Sequence, residues 1–496
     1  MVALALGLGP REGVAAAAGA APDAGESAAA RTGVAAGRSP GPAAPTLAEG
    51  DPRAACLAAH ADAPARYRGL VRALCSEAAG LEVVGASLAI VERGSPPRVI
   101  TWGHTRAGGP PIAAGTGFRI GSLTKILTAA LALALVDDGL LGLDAPLSAV
   151  LPELAEGVDD RLTEVTLRQL LTHSGGLAEL WPGDVVDGET WLRALGEREL
   201  LAAPGALWSY ANVGYAVIGA AIERASGERW AALLERRLLR PLGLAHTSAD
   251  PEVSLRTGAA LGHLGRGDGA PALDVAEDFA IGARGAAWTI PAGGVIASSA
   301  DVATLALALV DPGRSPLSPA SIEVLTTATL PTHERPGEGQ AAGLRVTPRA
   351  GGSALLRASG DTGDFAADLV LAPSEGVAIV VLGNSGDHLR ATLAAGLHDL
   401  LGVGAPVLSE GPAAALDHYV GDYAIGDLEG VLAVREGGDG LTIAAPILGP
   451  APIALEPLGD HRFRAGALGP LTFVLLGEGG AAEFLRSRAW VAARLE

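Results

Sequence analysis

The sequence predicts an α/β (α+β) chain in which a mixed antiparallel sheet is flanked by helices and a helical subdomain, followed by a small all-β barrel. Strand-like runs stand near both ends of residues 51–402, and helical periodicities fill the interval between them. After Leu416 the chain breaks into short β-like pieces separated by Gly/Asp turns. These features divide the chain into a flexible leader or degenerate signal segment (1–50), a first domain (51–402), a linker (403–415) and a barrel (416–496).

Residues 1–50 are rich in Ala, Gly, Pro and Ser without periodicity, which suits a leader rather than a packed element. A helix is expected over Asp51–Ala79, then strands at Leu81–Glu92 and Arg98–Gly103, parted by the turn-forming GSPP. Ser122–Asp138 reads as a long helix closed by Gly139. Further helical patterns cover Thr166–Thr172, Thr190–Leu200, Val213–Ser226, Trp230–Leu239 and Ala300–Val310. Strands return at Ala354–Ala358, Phe365–Ala372 and Gly376–Gly383, and Leu389–Leu401 closes the domain as a helix. The barrel is expected from VLAVREGGDGLTIAA, IALEPLGDHRFRA, LTFVLLGEGG and EFLRSRA.

Composition excludes several classes. With 49% hydrophobic and 18% charged residues, most of the chain is globular. A net charge of −19 has the wrong sign for a nucleic-acid partner. The most apolar helical run, Ile126–Val136, is too short to cross a bilayer. No Cys/His cluster, H-E-x-x-H, P-loop or G-x-S-x-G occurs, so neither a metal nor a cofactor is called for. Cys56 and Cys75 suit either a disulfide or two buried thiols. The opening MVALALGLGPREG has an apolar stretch without a basic start; export to the periplasm, envelope or exterior is the expectation, a cytoplasmic location the alternative.

The chain spends 36 basic residues as 35 arginines and one lysine, Lys125, and has two asparagines, Asn212 and Asn384. Lys125 closes Ser122-Leu123-Thr124-Lys125, an S-x-x-K at the start of a helix, where residues three apart share a face. Ser122 then sits by the orphan N–H groups and positive end that favour an oxyanion. Burial among Ile126, Leu127 and alanines would favour the neutral, proton-accepting lysine, a form closed to arginine. A capping serine beside a solvated lysine is the bland alternative. Tyr210-Ala211-Asn212 precedes the Val213–Ser226 helix and offers a phenol for proton transfer and an amide for a substrate carbonyl, or else a packed tyrosine and an N-cap.

With both motifs in this order, the sequence resembles the serine β-lactamase and penicillin-binding superfamily, in its class C β-lactamase, D-aminopeptidase and esterase branch. The resemblance runs over about Leu81–Leu401 and includes FRIGSLTKILTA, LVDDGLLGLDAPLSAVLPEL, TLRQLLTHSGGL, LLRPLGLAHTS and PAGGVIASSADVATLA. His173 lies in the third of these and reads as a packing and loop residue. From Leu416 on, the chain more faintly resembles the lipocalin-like barrel appended to many members.

The resemblance implies a β-lactamase/transpeptidase-like fold and an acyl-enzyme on Ser122, with Lys125 and Tyr210 sharing proton transfers and Asn212 orienting the substrate. The oxyanion would lie between the Ser122 N–H and one from a facing strand. That strand usually carries K-T-G or H-x-G; here the stretch is Ala358-Ser359-Gly360-Asp361-Thr362-Gly363, with alanine at the cation position. Ser359, Gly360 and Asp361 become candidate substrate contacts, Asp361 through its N–H. Arg357 would face the other side of the sheet. Loss of the cation favours a neutral small-molecule or peptide ester or amide over a β-lactam or peptide C-terminus. A true β-lactamase or D-Ala-D-Ala carboxypeptidase is one alternative, and a non-catalytic penicillin-binding or sensor-like module another. The loops Ala178–Glu189 and Arg256–Ile281 are expected to shape the pocket.

Overall fold

The computed structural model describes residues 51–177, 190–250, 258–263, 287–332, 334, 337–349, 353–401, 415–424, 431–437, 440–445, 451–459, 461–468, 470–475, 480–487 and 491–495. The leader, linker residues 403–414, the loop 178–189 and all but 258–263 of the second pocket loop fall outside that set.

The central sheet joins the two ends of the first domain. Its order is Arg98–Gly103, Gly85–Glu92, Val377–Gly383, Ala366–Ala372, Ala354–Asp361, Arg345–Pro348, Gly339–Gln340, Leu330–Pro331, and these neighbours pair antiparallel. Ala86 lies opposite Gly383, so strands nearly three hundred residues apart form the centre. Gly85–Glu92 is buried from Gly85 to Val91 and mostly apolar because both its faces are covered. Leu88 and Ile90 pack with Leu70 and Leu74 on one side, Ala89 and Val91 join the larger helical core on the other, and this is the period of two of a strand.

The helix Thr124–Asp137 is buried from Thr124 to Leu135, which explains its apolar sequence on all sides. Its polar groups are bonded: Thr128 Oγ1 donates to the Pro291 carbonyl at 2.6 Å, and Thr124 Oγ1 accepts from Val295 N–H at 3.2 Å. Residues 291–295 thereby fasten the helix from the side.

Several boundaries differ from the sequence-based expectation. The helix expected over Asp51–Ala79 is divided into Pro52–Ala59, a 3-10 turn at Ala65–Tyr67 and Arg68–Gly80. Pro64 is the reason: it lacks an N–H and disfavours helical backbone at Ala63. A Cys56–Cys75 disulfide bridges the two pieces, Cα atoms 5.8 Å apart. Trp230–Leu239 is an α-turn that widens to a π-turn at Glu235–Leu239 before Pro241. The strand expected at Ala354–Ala358 continues to Asp361, carrying the whole Ala358–Asp361 stretch. The helix Pro319–Thr326, N-capped by Ser318, was not anticipated.

The barrel is an eight-stranded closed sheet in which Tyr423↔Arg494 and Ala424↔Ala493 complete the ring. Its interior is packed by Tyr419, Tyr423, Phe463 and Phe473, with ring centroids 4.8–5.9 Å apart. That filling is a core, not a cup.

Candidate active site

Ser122 sits in a tight 3-10 turn, Gly121–Leu123, that feeds the buried helix, rather than in the helix's own first turn. Gly121 has φ +49°, and a Cβ there would stand 2.8 Å from the Asp361 nitrogen. From the other side, a Cβ on Gly360 would lie 2.0 Å from the Ile120 carbonyl oxygen and 3.0 Å from the Ser122 nitrogen. Two glycines therefore let the turn and the strand touch backbone to backbone, bringing the Ser122 and Asp361 amides to one spot.

Lys125, one turn on, is 2% exposed. Its Nζ lies within hydrogen-bonding distance of three oxygens: Ser122 Oγ at 3.2 Å, Asn212 Oδ1 at 2.8 Å and the Ala292 carbonyl at 2.8 Å. All three oxygens belong to neutral groups. The rings of Tyr210 and Tyr215, 4.9 and 5.5 Å from Nζ, complete the cage. Tyr210 OH donates to Ser122 Oγ at 2.6 Å. Two hydroxyls at that distance can pass a proton in either direction. Ser122 Oγ is thus where lysine and tyrosine meet.

Asn212 opens the helix Asn212–Ser226 but makes no side-chain cap; its carbonyl oxygen faces Lys125 instead. Tyr215 donates to the Leu171 carbonyl at 2.8 Å, and burial raises its pKa well above the ordinary tyrosine value, so it stays a phenol.

His173 holds the Tyr210 loop. It has φ +55°, accepts from Ala211 N–H at Nδ1 (3.3 Å), and receives Ser209 N–H on its carbonyl at 2.7 Å. Its ring lies 4.4 Å from that of Tyr210. Burial first, then the Lys125 and Arg345 charges, push its pKa well below the usual histidine range. A neutral imidazole bonded to backbone is a packing group, as its sequence context suggests.

On the facing strand, Ala358 and Gly360 share the face turned towards Ser122. Ser359, in register with Asp368, and the Asp361 side chain leave from the opposite face, as does Arg357, in register with Val370. The arrangement therefore joins Ser122, Lys125, Tyr210 and Asn212 by hydrogen bonds. Gly360 and Asp361 approach through their backbone, while Ser359 stands on the far side of the strand.

His388 clasps the end of that strand. Its Nδ1 bonds Asp368 at 2.7 Å, its Nε2 lies 3.7 Å from Asp361, and Asp361 and Asp368 push its pKa from 6.5 up to about 9. Because the folded pKa exceeds the unfolded one, this stabilisation is complete below about pH 6.5 and is lost as pH rises through about 9. Thermal melts of His388→Gln should accordingly match wild type near pH 9 and fall below it near pH 6. Parallel wild-type and variant curves across that window would refute the clasp.

Sequence reasoning missed the Ala292 carbonyl, which has no side-chain signature beyond its place in PAGG, and Trp208, whose indole N–H donates to Gln340 Oε1 at 3.0 Å beneath the Tyr210 loop. Among the described residues no group of His, Cys, Asp and Glu could hold a metal, and no helix is long and apolar enough to cross a membrane.

The sequence model of the Beta-lactamase family matches residues 72–401. Penicillin-binding protein 4 of Amycolatopsis lactamdurans is 32% identical over 238 residues, 47% of this chain and 61% of that protein. Esterase EstB of Burkholderia gladioli is 36% identical over 171 residues, 30% of this chain and 43% of its own. The chain thus spans about half the length of these curated relatives. The crystal structure of SurE superposes with a TM-score of 0.67 at 28% identity, covering 90% of this chain and 100% of SurE, a span that includes the barrel.

Proposed function

The chain belongs to the beta-lactamase family, and from that premise we propose that it is a serine hydrolase acting through an acyl-enzyme on a neutral ester or amide, small-molecule or peptide. The observation that carries the reading is the convergence of Lys125 Nζ and Tyr210 OH on Ser122 Oγ. Ser122 Oγ attacks the acyl carbon while its proton passes, directly or through the Tyr210 hydroxyl, to Lys125 acting as the neutral amine. The same pair returns the proton to the leaving alkoxide or amine as the carbon–heteroatom bond breaks. Water then attacks the acyl-serine, loses a proton to the pair, and Ser122 regains one as the acid departs. The Ser122 and Asp361 N–H groups hold the oxyanion. Asn212 Nδ2 orients the substrate carbonyl, and Ser359 lies on the strand along which a substrate would extend.

Specificity follows from the third motif. Ala358 supplies no cation on the face turned towards Ser122, and the Asp361 side chain leaves from the opposite face beside His388. A substrate carboxylate finds no countercharge there, whereas an uncharged ester or amide needs none. The Cys56–Cys75 disulfide supports an exported protein.

Labelling separates the alternatives. A fluorophosphonate should label the wild type and neither Ser122→Ala nor Lys125→Ala, with little labelling by a fluorescent penicillin. Strong penicillin labelling would shift the reading to β-lactamase or carboxypeptidase. Silence towards both probes would leave a binding module, and labelling of Ser122→Ala would refute the mechanism.

A further inference from the structure

Beneath the catalytic tyrosine, the barrel and the hydrolase domain share one buried contact. The barrel strand Phe484–Arg486 alternates so that Leu485 enters the barrel core, while Phe484 and Arg486 point outward. Outward positions of a barrel are ordinarily wet, yet Phe484 is 9% and Arg486 2% exposed. Phe484, Val474 and Val491 pack on Ala202 and Leu207, in the loop that leads to Tyr210.

Arg486 goes further in. Its guanidinium lies 4.1 Å over the Trp208 ring, donates to the Thr332 carbonyl, and sits 3.5 Å from Glu334 Oε1. Trp208 is held from its edge by Gln340, and its ring stands 6.2 Å from His173 and 6.3 Å from Tyr210. Among the described residues, the other charges at this junction are Arg345, paired with Glu334, 3.8 Å from Glu338 and 5.5 Å from the Trp208 ring centroid, and Arg462, which donates to the Glu334 carbonyl at 3.2 Å. Removing an arginine from water is costly, and burial brings its pKa down to about 10. A hydrophobic contact alone would secure the barrel without that cost. The guanidinium does what an aliphatic chain cannot: its flat face covers the indole while its N–H fork ties the indole to the 332–334 segment.

We infer that Arg486 is a positioning residue of the active site: by clamping Trp208 from the barrel, it fixes the loop that holds Tyr210 OH against Ser122. The inference rests on the hydrolase reading above, with Tyr210 as the proton carrier. It makes the barrel a working part of the catalytic unit.

The test uses the full chain and a p-nitrophenyl ester, with fluorophosphonate labelling as a second readout. Arg486→Met keeps the bulk and removes the fork. It should lower kcat and the labelling rate about tenfold, with KM little changed, at unchanged fold by circular dichroism. Arg486→Lys, which keeps the charge and lacks the flat face, should recover less than half of the loss. In a Tyr210→Phe background, Arg486→Met should cost nothing further, because the two act as one unit. A full additive loss in that background would overturn the inference, as would wild-type kcat in folded Arg486→Met. Should Arg486→Met fail to fold, Trp208→Phe tests the same clamp from the other side and must show the same kcat loss and the same non-additivity with Tyr210→Phe. Failure of the hydrolase reading looks different: wild-type protein is then not labelled at Ser122 at all.

Discussion

Lys125→Arg is expected to lower kcat/KM by roughly 10³-fold or more, about as much as Lys125→Ala, although it keeps the positive charge. The cage around Nζ is tetrahedral, with oxygens at Ser122, Asn212 and Ala292 and two tyrosine rings closing the sides. A planar fork cannot meet those three oxygens, and its extra length drives it into the Tyr210 ring. A guanidinium also keeps its protons at any working pH and so cannot take one from Ser122. Single-turnover acylation by a p-nitrophenyl ester, followed by stopped flow, measures the step directly. Acylation within tenfold of wild type in a folded Lys125→Arg protein would show that charge alone suffices and that Tyr210 carries the proton.

Gly360→Ala should cost about 10²–10³-fold in kcat/KM, the scale of a lost oxyanion donor. The added methyl would lie 2.0 Å from the Ile120 carbonyl and 3.0 Å from the Ser122 nitrogen, both backbone atoms with no rotamer to yield. The strand must move off the Ser122 turn, which parts the two amides. Gly437→Ala, where a methyl meets nothing within 4 Å, is the matched control and should leave activity intact. If Gly360→Ala keeps wild-type kcat/KM, the oxyanion is not held at this junction. Differential scanning calorimetry alongside separates the catalytic loss from a general loss of stability.

The site was readable where chemistry needs a side chain that composition had made scarce. Lys125 and Asn212 stood out against 35 arginines and two asparagines. Rarity alone was not enough, for Asn384 is as scarce and only bonds the carbonyls of His104 and Thr105. What the sequence concealed was supplied by backbone: the Ala292 carbonyl, and the amides brought together by Gly121 and Gly360. The fold was readable to the same depth. Long periodic elements such as Val377–Gly383 and Ser299–Val310 lay within a residue or two of expectation. Two-residue strands such as Phe118–Arg119 exist only because partners are brought alongside, and no local pattern announces them.

The pairing of Ala86 with Gly383 sets a timetable for the newborn chain. The first central strand must wait 383 − 86 = 297 residues for its neighbour, roughly 15–60 s at ordinary ribosomal speed. Through that interval the mostly apolar Gly85–Glu92 segment has no native partner on that edge, which exposes it to aggregation. Arg486 emerges later still, so the contact beneath Trp208 forms after the central strands are all available. Ser122 is made long before the strand and the arginine that complete its surroundings.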